Sequence, residues 1–165
     1  MLEYLIILEQ GLANGFLEFD IANRNATIWD GGNKSFTFTN EKQLGQAVVS
    51  ILQHPQETKN QYIYVASVET TQNEVLAALE EASGATWTVT ETTTDAQVTE
   101  AGKKLAAGDF SGALTLVRAT AFGNTQGLRA NYAKEEKLAN DILGLSLEDV
   151  KDVVKRVVKC YTTVY

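Results

Sequence analysis

The chain has 165 residues, 44% apolar and 21% charged, which is the size and composition of one globular domain with its own core and excludes intrinsic disorder. Its 14 Lys and Arg against 21 Asp and Glu leave a net charge of −7, and so acidic a chain is not expected to bind nucleic acid, because phosphate neutralisation needs a positive surface. One Cys and one His exclude an internal disulfide and a multi-histidine metal site.

The opening stretch from Met1 to Glu9 holds a short apolar run, flanked by Glu3 and Glu9, with no basic lead-in. It is expected to pack inside as helix or strand and not to act as a signal peptide. No stretch approaches the roughly 20 apolar residues that a spanning helix needs. No membrane partner is therefore expected, and the cytoplasm is the expected compartment.

Ala26–Trp29 reads as a strand, followed by the turn signal Asp30-Gly31-Gly32-Asn33 and by Ser35–Thr39, which alternates with period two. Together they predict a hairpin with a loop longer than two residues. Asn40 and Gln43 form an N-cap pair. Beyond them Leu44, Ala47, Val48, Ile51 and Leu52 fall on one helix stripe, which His54-Pro55 ends. Tyr62–Ala66 is a short run of aromatic and β-branched residues and predicts a buried central strand. Thr71-x-x-Glu74 is a capping box for a helix closed by Gly84, and Thr86–Thr90 reads as a strand.

From there the pattern is helical. Asp95 is expected to cap a helix to about Ala107, and Asp109 another to about Phe122, closed by Gly123. A helix is expected from about Tyr132 to Leu143, stopped by Gly144. Ser146-x-x-Asp149 opens the last one, whose stripe is Val150, Val153, Val154, Val157 and Val158. The order predicts an α/β chain, a mixed α+β fragment with few strands followed by a helical segment, in a single domain over residues 1–165.

The residues offer little catalytic chemistry. No glycine pattern opens a helix after a strand: Gly31-Gly32 falls in a turn, and Gly108 and Gly112 straddle a helix start with no strand before it. His54 is explained by its helix end, and Cys160 reads as a stray thiol. Glu80-Glu81 and Glu135-Glu136 are adjacent on helices and do not face one another. Asp20, Asp30 and Asn33 are too scattered for a metal site. No catalytic, cofactor-binding or metal-ligating residue is expected. The candidate substrate-pocket residues are aromatics beside loops and glycines: Phe16, Phe19, Phe110 and Phe122.

An ordered set of motifs runs from about Glu9 to Lys159. It includes Gly11-Leu12-x-x-Gly15-Phe16-Leu17-x-Phe19-Asp20-Ile21, Asn23-Arg24-x-Ala26-Thr27-Ile28-Trp29-Asp30-x-Gly32 and Phe38-Thr39-Asn40. It continues with His54-Pro55-x-Glu57-Thr58-x-Asn60-x-Tyr62-x-Tyr64-Val65, Thr71-Gln72-Asn73-Glu74, Lys104-Leu105-Ala106-x-Gly108-Asp109-Phe110 and Lys155–Lys159. In these motifs the chain resembles the C-terminal part of fungal NmrA-like, isoflavone-reductase-like proteins, atypical members of the short-chain dehydrogenase superfamily. Met1–Leu8 and Cys160–Tyr165 depart from the family pattern.

The resemblance implies a Rossmann-type parent about twice as long, whose first half carries the glycine-rich turn for NADP and the reductase lysine. Neither maps onto a residue of this chain. It further implies a substrate-side segment that does not transfer hydride alone. A shortened gene, a true short paralogue or an excised fragment would each account for this. The alternative is a non-catalytic, NmrA-type regulatory or protein-binding module, and a third reading is a structural domain without a ligand. The expected partners are a small-molecule substrate, and a protein or a second copy on the face that a missing half would leave open.

Overall fold

The computed structural model describes residues 8–164, so most of the element expected at the start of the chain, residues 1–7, lies outside the described residues. The chain runs α1 (Leu8–Ala13), β1 (Phe19–Asp20), β2 (Asn25–Trp29), β3 (Ser35–Phe38), α2 (Glu41–Gln53), α3 (Pro55–Thr58) and β4 (Val68–Thr71). It continues through α4 (Gln72–Ser83), β5 (Thr88–Thr92), α5 (Thr94–Ala106), α6 (Ser111–Phe122), α7 (Tyr132–Glu135) and α8 (Val150–Val164). The class is mixed α/β, with few strands and then helices, as the patterning predicts.

The strands pair differently from the expectation. β2 and β3 do not form a hairpin. β2 is the centre of a three-stranded sheet, antiparallel to β1 and parallel to β5, while β3 pairs antiparallel with β4 in a separate sheet. The reason lies in the turn between them. Asp30, Gly31 and Gly32 have φ of 47°, 78° and 71° in succession, three left-handed residues that lead the chain out of the first sheet. Asn73 at the start of α4 pins the turn, its Nδ2 donating to Gly31 O at 2.8 Å and to Asn33 Oδ1 at 2.9 Å.

The strand expected at Tyr62–Ala66 is also absent. Tyr62 is 87% exposed, and only Tyr64 makes a lone bridge, to Leu138. The strand that forms is β4, further on. Residues 64–66 instead exchange hydrogen bonds with the following segment: Ala139 N donates to Tyr64 O at 2.8 Å, and the Asn140 amide accepts from Ala66 N at 3.1 Å and donates to Ala66 O at 2.7 Å. The same bonds explain why the helix expected over 132–143 stops at Glu135, since groups that a helix would pair internally are used across the loop.

The other helices follow their caps. Asn40 Oδ1 accepts from Gln43 N at 2.8 Å, and Thr71 and Glu74 form the expected capping box, with Gly84 left-handed at the far end. α5 starts earlier than expected, because Thr93 Oγ1 and not Asp95 accepts from Ala96 N, at 3.3 Å. The Asp109 carboxylate accepts from Ser111 N at 2.9 Å just ahead of α6. α8 begins at Val150, where Asp149 Oδ1 accepts from Lys151 N at 2.8 Å; Ser146 is not its cap.

α8 lies on α4, and its stripe closes the main core. Val153 and Val154 have no exposed surface and join Leu12, Ile28, Trp29, Phe36, Val75 and Leu79 in one cluster. Burying each such side chain contributes about 1.5–3 kcal/mol before entropy. α2 departs from its expected stripe. It buries Gln43, Ala47 and Ser50, leaves Leu44 and Ile51 partly buried, and exposes Val48 and Leu52, the latter to 75%. Polar side chains set this rotation. The Gln43 amide reaches Ser146, and Asn40 reaches Ser67 and Glu148.

α5 and α6 form a helical hairpin that crosses closely at Gly112, where a Cβ would stand 2.5 Å from Ala101 O. Two charged side chains tie it to the sheets. Asp30 accepts from Thr94 N at 3.0 Å, from Thr94 Oγ1 and from Asn124 N at 3.2 Å. Lys34 Nζ donates to Thr120 O and Gly123 O, carbonyls that the end of α6 leaves unpaired. Burial lowers the Lys34 pKa, against the opposing pull of Glu135 and Asp30.

Candidate functional site: a cleft between α1, α2 and α8

A cleft of about 990 Å3 opens between α1, α2 and α8. Glu9, Gln10 and Ala13 of α1 form one wall, and Asn40, Lys42, Gln43 and Gln46 at the start of α2 form the next. The loop from Gly144 to Glu148 and the end of α8, with Arg156, Val157, Cys160 and Tyr161, close it.

The polar wall is a continuous chain of hydrogen bonds. Asn40 Nδ2 donates to Glu148 Oε1, Arg156 Nη2 donates to Glu148 Oε2 at 2.7 Å, and the same Nη2 donates to Glu9 Oε1 at 2.9 Å. Burial pulls the Arg156 pKa down, but the hydrogen bonds it donates to Glu9 and Glu148, with their negative charge, outweigh it and raise the net value. The guanidinium is thus a fixed, neutralised strut across the cleft. Gln43 is 5% exposed; its Nε2 donates to Ser146 O at 2.9 Å, while its Oε1 is buried with no hydrogen bond.

The four phenylalanines expected to line a pocket are not brought together. Phe122 is core, edge-on to Trp29 and Phe36 at ring distances of 6.3 and 5.2 Å. Phe19 is buried edge-on against Trp87 at 6.4 Å and also walls a second cleft of about 450 Å3 beside Glu18, Asp20, Asn25 and Thr27. Phe16 is half-buried beneath the Arg118 guanidinium, 4.9 Å away. Phe110 stands 81% exposed at the tip of the α5–α6 hairpin. None of them is among the residues lining the main cleft.

His54 and the paired glutamates have local structural partners. His54 ends α2 with Nδ1 2.8 Å from Ser50 O. Glu80 Oε1 accepts from Trp87 N at 3.0 Å, Glu81 pairs with Lys151 at 2.6 Å, and Glu135 and Glu136 both pair with Arg129. Among the described residues, no group of three or more His, Cys, Asp or Glu is placed to hold a metal ion, and no helix is long and apolar enough to cross a membrane. Two of the glycines are engaged within the fold. A Cβ on Gly32 would meet Asn73 and Ile28, Gly32 N is bonded to Trp29 O, and Gly112 is spent on the α5–α6 crossing.

The cleft was partly legible. The Asn40–Gln43 pair is a sequence signal, but it reads as a cap and not as a wall. Arg156, Glu148 and Glu9 come from distant positions, and only the fold joins them.

No family model matches the chain, and no solved structure matches it. Curated proteins do, among them two from Penicillium and Aspergillus. The chain is 33% identical over 141 residues to "Oxidoreductase poxI" of Penicillium oxalicum, covering 86% of this chain and 45% of that protein. It is 31% identical over 152 residues to "Oxidoreductase aprR" of Aspergillus flavus, covering 92% of this chain and 50% of that protein. The chain therefore spans about half the length of the curated relatives it matches, and over most of its own length it is similar to proteins named oxidoreductase.

Proposed function

We propose that this chain is the substrate-holding half of an NADP-dependent, NmrA-like and isoflavone-reductase-like oxidoreductase, and that the cleft between α1, α2 and α8 receives the substrate. The observation that carries the reading is the extent of the similarity: nearly the whole chain aligns with two proteins named oxidoreductase, yet it accounts for only 45–50% of each. The cleft supports it, since a concavity with a few fixed polar groups is the usual form of a small-molecule site. On this reading the chain orients a substrate and shields it from water, and the nucleotide is held by residues that the alignment leaves unmatched. Gly32 and Gly112, already engaged within the fold, are consistent with that division.

The test combines calorimetric titration of the purified chain with aromatic ketones and an assay of NADPH oxidation in the same mixtures. The reading expects saturable binding of at least one ketone and no coenzyme consumption by the chain alone. Steady NADPH oxidation coupled to ketone reduction would contradict it, as would an absence of binding across the panel.

A further inference from the structure

We propose that the exposed face of α2 is the contact between two copies of this chain, packed antiparallel about a two-fold axis that passes between Val48 and Val49. The contact lies on a different side of α2 from Lys42, Gln43 and Gln46, which line the cleft. It therefore stands or falls apart from the ligand site.

Helical spacing sets Glu41, Gly45, Val48, Val49 and Leu52 on one side of α2. The three aliphatic side chains are 52%, 56% and 75% exposed, and nothing lies within 4 Å of the place a Cβ would take on Gly45. From Gly45 to Gln53 no residue is charged. A helix face left to water carries charged and polar side chains, and a run of exposed aliphatics marks a contact surface. The helix cannot turn to bury this run, because its opposite side holds Gln43, Ala47 and Ser50 inside and Gln43 is bonded to Ser146.

The stripe complements itself in the antiparallel sense. With the axis between Val48 and Val49, each valine meets the other valine of the second copy, and Leu52 of one copy lies over Gly45 of the other, a large side chain against an open position. Glu41 then faces Gln56 of the second copy, where Lys59 Nζ lies 3.2 Å from Gln56 Oε1, so a carboxylate meets a cation at each end. A parallel pair would set Glu41 against Glu41 and Gly45 against Gly45, with a gap between the backbones. Antiparallel helix dipoles also attract. The contact is isologous and closes at two copies. The 13 residues of α2 span about 20 Å, so one such helix pair falls at or below the low end of specific interfaces, roughly 1,200 Å2, and the dimer is a weak one.

Sedimentation equilibrium of the full chain from about 1 to 200 µM tests the contact. The weight-average mass should rise from 18.0 kDa toward twice that value, with half-association on the order of 10 µM. Val49→Asp sets two carboxylates against each other beside the axis and should weaken association at least about tenfold. Its unfolding midpoint at about 1 µM, where the chain is monomeric, should match that of the unmodified chain, which separates a lost contact from a lost fold. Disulfide capture in a Cys160→Ser background reads the register. A chain with Gly45→Cys and a size-tagged chain with Leu52→Cys, mixed in equal amounts under mild oxidation, should join each other at least about fivefold faster than either joins itself. If Val49→Asp does not fold, the mass and the capture decide. A mass that stays at 18.0 kDa throughout overturns the proposal and leaves α2 to a different polypeptide. Association that Val49→Asp does not weaken, or a majority of like-with-like disulfides, overturns it as well.

Discussion

Gly32→Ala probes the turn that separates the two sheets and positions α4 and α5. Gly32 has φ +71°, a conformation that costs an L-residue about 1–2 kcal/mol. Its new Cβ would stand 2.5 Å from Asn73 Oδ1 and 2.7 Å from Ile28 Cγ2. Neither neighbour yields easily. Asn73 is held by its bonds to Gly31 O and Asn33 Oδ1, and Ile28 is in the core. Overpacking of this kind adds about 1–3 kcal/mol, so the loss should total about 2–5 kcal/mol. Gly84→Ala is the control, because φ is +62° there but nothing lies within 4 Å of its Cβ; only the backbone cost of about 1–2 kcal/mol applies. In urea titrations followed by tryptophan fluorescence, with a slope of about 2 kcal/mol per M, the midpoint should fall by about 1–2.5 M for Gly32→Ala and about 0.5–1 M for Gly84→Ala. Equal shifts would refute the packing of Asn73 and Ile28 against the turn.

Other substitutions check other parts of the structure. Leu79→Ala removes a side chain with no exposed surface and should cost about 2–5 kcal/mol, whereas Leu52→Ala, on the exposed side of α2, should stay within about 0.5 kcal/mol; denaturant midpoints compare them. Burial raises the Asp30 pKa, but hydrogen bonds from Thr94 and Asn124 and the charge of Lys34 outweigh it and leave it below 3.8. Its contribution to stability is then present in full above about pH 4 and lost as pH falls through the depressed folded value. Asp30→Asn should lower stability at neutral pH and flatten the acid limb of a melting-temperature profile below about pH 4. Arg156→Met breaks two half-exposed ion pairs, so its effect on stability should be under about 1 kcal/mol by urea titration, while Cys160, four residues on along the same cleft, should alkylate faster.

Local signals were the legible part of this fold. The caps at Asn40 and Thr71, the close at Gly84 and the valine stripe of α8 depend on neighbours within a few residues, and they stand where the pattern puts them. Long-range hydrogen bonds set what the pattern misplaces. The Asn140 amide takes up Ala66 from 74 positions away, which removes both an expected strand and an expected helix. Gln43 and Asn40 reach residues beyond 140 and turn α2 by its polar side, so an aliphatic pair the periodicity assigns to the core stays outside. Beyond the Asn40–Gln43 pair, the cleft is illegible for the same reason. Its walls come from residues 9–13, 40–46, 144–148 and 156–161, joined by bonds between side chains that sequence spacing does not relate. The four phenylalanines were singled out by their proximity to loops and glycines, but ring packing places Phe19 and Phe122 in the core and leaves Phe110 at an exposed hairpin tip.

The most direct measurement is amide hydrogen exchange on the full chain with and without saturating 4-hydroxyacetophenone. Slowed exchange confined to residues 9–13, 40–46, 144–148 and 156–161 is the predicted result. Protection centred instead on residues 18–27 around the second cleft, or no protection anywhere, would contradict the assignment of the ligand site to the space between α1, α2 and α8.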